Sequence, residues 1–217
     1  MLSFPFARVQ LLILLVLFTT SSSAFSLRQN ADTVALAAVE KQLGYVPPNF
    51  VKVTSWTSRG EPVAIQTYPL DGGAPRRQRR VSSDVGTPFP TLYWLCHNEI
   101  RRAIGDLERT GHVRLLQERL NSNPDDAKSF RQAHDDYARE RWLSLTEQDR
   151  AAVEEHHDGM TLMLQDSGVS GTDYRCTEVP NIKCLHAHYA HYRSSSGNLV
   201  GKWVDELLTE QYPDLDL

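Results

Sequence analysis

Apolar and polar positions alternate early in this chain and fall into helical spacing later. From Phe50 to Ser55 (FVKVTS) and from Pro62 to Tyr68 (PVAIQTY), apolar and β-branched residues alternate with polar ones. That period of two turns one face of a strand inward. Ser58-Arg59-Gly60-Glu61 between them is turn chemistry, so the pair predicts an antiparallel hairpin. Thr91 to Leu95 (TLYWL), entered from Pro88-Phe89-Pro90, predicts a third strand. Ahead of the hairpin, Asp32 to Leu43 carries an apolar stripe and is stopped by Gly44 and then Pro47-Pro48, which predicts a short helix.

After the third strand the period becomes helical. Ile100, Ala103-Ile104 and Leu107 share one face, and the pattern resumes at Val113, Leu115-Leu116 and Leu120. Gly111 divides this stretch into two helices, with Glu99, Arg102, Glu108 and Arg109 assigned to the wet face. Asn123-Pro124-Asp125 opens another helix, carried from Lys128 to Leu143, with proline at its first position and acids in its first turn. Thr146 caps a further one running towards His157. Gly168 to Gly171 reads as a turn, Asn181 to Tyr192 as a helix at least from Cys184 on, and Val200 to Leu208 as a last helix. Strands followed by helices predict an α+β fold, a small antiparallel sheet with helices packed on it in a single domain over 31–217. The expected core includes Val51, Val53, Ile65, Leu92, Trp94, Ile104, Leu107, Trp142 and Leu185.

Residues 71–90 interrupt the pattern with three glycines, three prolines and Arg76-Arg77-Gln78-Arg79-Arg80, which predicts an exposed loop. Its arginines suit either a phosphate-bearing surface or plain solvation. The 217 residues carry 23 Lys+Arg against 27 Asp+Glu, a net charge of −4. No nucleic-acid partner is expected at that balance. There is no P-loop, no G-x-G-x-x-G, no G-x-S-x-G and no H-E-x-x-H. Those absences disfavour common nucleotide hydrolysis, Rossmann redox chemistry, a standard esterase and a zincin protease.

The first 24 residues read as a signal peptide: Arg8, an apolar core from Leu11 to Phe18, and Ser22-Ser23-Ala24 as cleavage site. The apolar run falls short of the roughly 18–20 residues of a bilayer span, so no stable membrane anchor is expected after cleavage. The new N-terminus, Phe25-Ser26-Leu27-Arg28-Gln29-Asn30, resembles the start of a short transit segment of the bipartite plastid presequences of algae with red-lineage plastids. Plastid delivery is the expectation, with secretion as the alternative. Three cysteines are an odd number, which argues against a full disulfide framework.

Two longer segments carry a family resemblance. Thr87-Pro88-Phe89-Pro90-Thr91-Leu92-Tyr93-Trp94-Leu95-Cys96 and Lys183-Cys184-Leu185-His186-Ala187-His188-Tyr189-Ala190-His191 resemble signatures of the bacterial family catalogued as domain of unknown function 501. Lesser segments agree in order: Gln42-Leu43-Gly44, His134…Tyr137…Arg141, Gly168…Gly171, and Gly197-Asn198 followed by Gly201. The resemblance runs roughly from Ala31 to Leu208 and implies no particular reaction. The family neighbours cell-division and polyphosphate-hydrolysing proteins in genomes, which is association alone. This chain departs from the pattern at His97 and Leu199, where the family usually has proline, and at the arginine-rich loop. The leader suggests a eukaryotic member of algal type.

Cys184, His186, His188 and His191 are the densest cluster of metal-ligand residue types. On a helix at about 100° per residue Cys184, His188 and His191 share a face, whereas an extended start would pair Cys184 with His186. The family pattern includes Cys184, His186 and His191 but not His188. The candidate ligands of zinc or another divalent transition metal are therefore Cys184 and His191, then His186, with Cys96 as remote fourth. The alternatives are core packing of these side chains or, in a secreted protein, a Cys96–Cys184 disulfide. His134 and Arg141 lie on one helix face and are suited to acid–base work on a phosphorylated or carboxylated substrate, or else to surface ion pairs. Gly197, Asn198 and Gly201 precede a helix and either cradle an anion or form a simple N-cap. Two functions stay open: a small metal- or His-dependent, hydrolase-like enzyme for an anionic small molecule, and a non-catalytic partner-binding protein.

Overall fold

The structure is a computed structural model that describes residues 33–72, 86–156, 158–195 and 197–217. The leader, the transit segment and Arg76 to Arg80 lie outside the described residues. The sheet and every candidate site residue lie in one compact unit that begins at Ala38. Among the described residues no helix is long and apolar enough to cross a membrane.

Helix α1 covers 33–43 and ends on Gly44, whose φ of 80° is the left-handed conformation of a helix stop. Strands β1 (Phe50–Trp56), β2 (Pro62–Thr67) and β3 (Tyr93–Leu95) follow, in the order β1-β2-β3 and antiparallel throughout. The hairpin agrees with the alternation that predicts it, and the third strand forms over the last three residues of the expected Thr91–Leu95. Among the described residues seven helices succeed the sheet: α2 (Asn98–Arg109), α3 (His112–Asn121), α4 (Pro124–Ser144), α5 (Glu147–His156), α6 (Asp158–Thr161), α7 (Leu185–Ser195) and α8 (Leu199–Gln211). A π-helical turn, Leu162–Asp166, and a 3₁₀ turn, Val169–Gly171, lie between α6 and α7. The α+β architecture is that of a small sheet with helices packed on it.

The register of the sheet sorts its side chains. Ala64 pairs with Leu95 and Ile65 with Trp94. Tyr93 and Leu95 join the core built with α7 and α8 through Leu185, Tyr189, Ala190, Val200 and Val204. Trp94 and Cys96 alternate to the other face and pack with Val39 and Leu43 of α1. The sheet is thus covered on both sides, and β2 is buried along nearly its whole length.

Of the expected core, Ile65, Leu92, Ile104, Leu107 and Leu185 are buried. Val53, Trp94 and Trp142 are half-buried. Val51 is 47% exposed and is a correction. Phe50 pairs with Thr67 and Lys52 with Gln66, so the ladder slips between them and Val51 is the extra residue of a bulge. Simple alternation does not survive such an insertion.

The helix caps follow the local sequence. The Asn123 side chain accepts the Asp125 N–H at 3.0 Å ahead of Pro124, Thr146 Oγ1 accepts the Asp149 N–H at 3.1 Å, and Gly111 at φ 91° separates α2 from α3. Helix α4 buries Ala127, Phe130, His134, Tyr137 and Arg141, each three or four residues from the last.

Candidate functional site

Cys184 sits directly before α7, and its carbonyl accepts the His188 N–H at 3.3 Å, which makes it the residue that starts the helix. His186 follows in the first turn. Its Nδ1 lies 3.2 Å from Oε1 of Glu108 and 3.9 Å from Sγ of Cys184, and its Nε2 donates to the Arg101 carbonyl at 3.0 Å. Glu108 also accepts the Leu185 N–H at 2.7 Å, placing a carboxylate on the positive end of α7. Burial opposes the charged imidazole, but the contacts with Cys184, Glu108 and the Arg101 carbonyl outweigh it and hold His186 up to about 10. Burial likewise opposes ionisation of Glu108, and the His186 imidazole together with the Leu185 N–H, both bonded to it, holds its carboxyl below the usual range.

A pocket of about 340 Å³ opens beside this group, lined by Thr91, Tyr93, Arg101, Ser170, Cys184 and His186 among others. Arg101 is half-buried, and its guanidinium makes no hydrogen bond or ion pair among the described residues. Ser170 holds φ 60° and ψ 25°, a left-handed conformation that a serine rarely adopts. Among the described residues, Glu108, Cys184 and His186 form the group of three whose ligand atoms all lie within 4.8 Å of one another. Together these three side chains could hold a metal ion.

The structure brings together Cys184 and His186 of the expected ligands and leaves Cys96 and His191 elsewhere. Cys96 is fully buried on the α1 face of the sheet, where its Sγ donates to the carbonyls of Pro62 at 3.2 Å and Val63 at 3.4 Å. Burial pushes this thiol up to about 12, the condition of an inert core cysteine. The reason it misses Cys184 is parity: Leu95 faces α7, so its neighbour faces away. All three cysteines are free, so no Cys96–Cys184 disulfide forms.

His191 stacks on Tyr93 at 5.7 Å and meets Tyr137 edge-on at 5.0 Å. Burial, opposed by Asp136, lowers it to about 4. His188 is fully buried beside it. Asn198 joins the two rings. Its Oδ1 accepts the Gly201 N–H at 2.9 Å, so its amide nitrogen is the group 3.1 Å from Nδ1 of both His188 and His191. Each ring therefore accepts at Nδ1 and carries its proton on Nε2. The Asn198 side chain caps α8, and a Cβ on Gly201 would fall on the His188 carbonyl. Asn198 and Gly201 form this capped, closely packed junction of α7 and α8, with Gly197 exposed ahead of it.

His134 is fully buried, and its Nδ1 accepts the Val169 N–H at 3.0 Å. Burial, helped by His191, Arg131 and Lys183, lowers it to about 3. Arg141 is fully buried too, but in no ion pair among the described residues. It donates to the carbonyls of Leu164 at 2.7 Å, Pro90 at 3.1 Å, Met163 at 3.0 Å and Ser167 at 2.6 Å. Its guanidinium closes the end of the π-helical turn and commits four of its five N–H donors to these backbone carbonyls. The shared helix face is real, and it is buried, with both side chains bonded to backbone groups rather than in surface ion pairs.

Glu108 is the site residue that periodicity assigned to solvent. A signal existed in the sequence: it stands in the last turn of α2, where an acid opposes the helix dipole and calls for another partner.

No curated protein and no solved structure matches the chain. The model of the family described as "Protein of unknown function (DUF501)" matches residues 53–206, which spans β1 to α8 and includes every residue of the site. The chain belongs to the DUF501 family.

Proposed function

We propose that the chain is a small hydrolase-type enzyme acting on an anionic small molecule in the pocket beside Cys184 and His186. The observation that carries this reading is Arg101: a half-buried guanidinium lining the pocket with no partner among the described residues. A half-buried cation without such a partner suits a phosphate or carboxylate, which a guanidinium grips with two parallel hydrogen bonds. Cys184 and His186 supply a thiol and an imidazole at the same wall, with the Glu108 carboxylate beside them. In this reading the leader delivers the enzyme to the plastid.

The test is a panel of aryl phosphates and carboxylate-bearing esters, with thermal stabilisation by inorganic phosphate measured in parallel. Hydrolysis and stabilisation that both fall at least tenfold in Arg101→Gln support the reading (about 1.4 kcal/mol of anion contact). Stabilisation by phosphate that is unchanged in Arg101→Gln, or absent from both proteins, overturns it.

A further inference from the structure

We propose that Glu108, Cys184 and His186 form a three-ligand site for zinc or a zinc-like divalent metal. The inference concerns the pocket of the proposed function and rests on that reading for the ion's use, though not for its binding.

Spacing supports it first. At bond lengths near 2.3 Å to sulfur and 2.0–2.2 Å to nitrogen and oxygen, the corners of a tetrahedron lie about 3.2–3.8 Å apart. The Glu108–His186 and Cys184–His186 ligand atoms are 3.2 and 3.9 Å apart, and all three atoms lie within 4.8 Å of one another. Side-chain adjustments of a fraction of an ångström centre an ion among them.

Orientation supports it next. The His186 Nε2–H is donated to the Arg101 carbonyl at 3.0 Å, leaving Nδ1 to face the other two ligands. A ligating histidine is ordinarily held this way, by a carbonyl or carboxylate on its far nitrogen. Glu108 is fixed by the Leu185 N–H at 2.7 Å.

Charge and chemistry complete the case. One thiolate and one carboxylate neutralise a divalent ion at a half-buried position. The mixed sulfur, nitrogen and oxygen set favours zinc or cobalt over calcium or magnesium, which take oxygen alone. Three protein ligands leave one position open, as in catalytic zinc sites. Cys184 and His186 line the pocket, so that position faces the space beside Arg101.

The experiment titrates metal-free full-length protein with cobalt(II) and follows its absorption. The expected result is one equivalent bound, with intense tetrahedral d–d bands and a thiolate-to-cobalt charge-transfer band, all lost on adding zinc. Cys184→Ser removes the charge-transfer band, whereas Cys176→Ser, at an exposed thiol, keeps it. Glu108→Gln retains a carbonyl for the Leu185 N–H, so it folds, yet binds cobalt roughly tenfold to a hundredfold more weakly. Circular dichroism and a thermal melt confirm that each variant is folded. Absence of the bands from the folded wild type, or their persistence in Cys184→Ser, overturns the site. Phosphate stabilisation of the metal-free protein, and its loss in Arg101→Gln, reads the proposed function separately, so either can fail without the other.

Discussion

The Val169 N–H donates to Nδ1 of His134 at 3.0 Å, tying the turn that carries Ser170 into the pocket to the middle of helix α4. Gly168 makes the approach possible, because a Cβ there would overlap the His134 ring. His134 therefore positions a wall of the site from behind.

Replacing His134 tests that role. His134→Ala leaves the Val169 N–H without an acceptor and opens a cavity beside Tyr174, for a loss of about 2–4 kcal/mol. His134→Asn puts an amide oxygen near the place of Nδ1 and recovers part of it. Urea unfolding measures both. Unchanged stability in His134→Ala would show that the bond to Val169 contributes nothing.

Arg141 offers a similar contrast. Lysine keeps the charge but replaces a planar fork of five donors with three on a point, so it cannot reach four carbonyls spread over Pro90, Met163, Leu164 and Ser167. Arg141→Lys is expected to cost about 2–4 kcal/mol in a denaturant melt. Because the partners are carbonyls rather than carboxylates, added salt should not change that loss. A loss that shrinks steadily with ionic strength would contradict the clamp.

These two residues show what the sequence reveals and where it stops. Helical spacing places His134 and Arg141 on one face of α4, and that placement is correct. Spacing says nothing of what covers the face, and here α7 and the turns at 162–171 bury it. Gly111, the Asn123-Pro124 pair and Asn198 mark their helix ends because capping is local chemistry. Cys184 and His186 are neighbours by period two. Glu108 reaches them from 77 residues away, through a bond to Leu185 that no local pattern encodes. Val51 fails for a related reason, since a bulge resets the count of a strand.

Buried neutral imidazoles predict acid lability. His134 and His191 fold with values near 3 and 4, below the roughly 6.5 of an unfolded imidazole, so the unfolded chain binds more protons in acid. Their contribution is complete above about pH 6.5 and is lost as the pH falls towards the folded values. Arg131 and Lys183 add to the effect at His134, and Asp136 opposes it at His191. At about pH 5 each imidazole lowers stability by about 2 kcal/mol relative to neutral pH. Urea midpoints taken from neutral to mildly acidic pH check this, and a flat profile would refute it.

Asn198→Ser separates capping from bridging. Serine caps a helix as well as asparagine does, and its hydroxyl still reaches the Gly201 N–H. Capping alone therefore predicts a change near zero. A serine hydroxyl is too short to reach Nδ1 of both His188 and His191, now 3.1 Å from the Asn198 amide nitrogen. Two buried acceptors are left unpaired, at about 1 kcal/mol or more apiece. The expected result is a loss of about 2 kcal/mol in chemical denaturation, with the helical content of α8 retained by circular dichroism. A serine variant as stable as the wild type would mean that the α7–α8 junction is held by apolar packing alone, and that the paired imidazoles neither need nor use the amide between them.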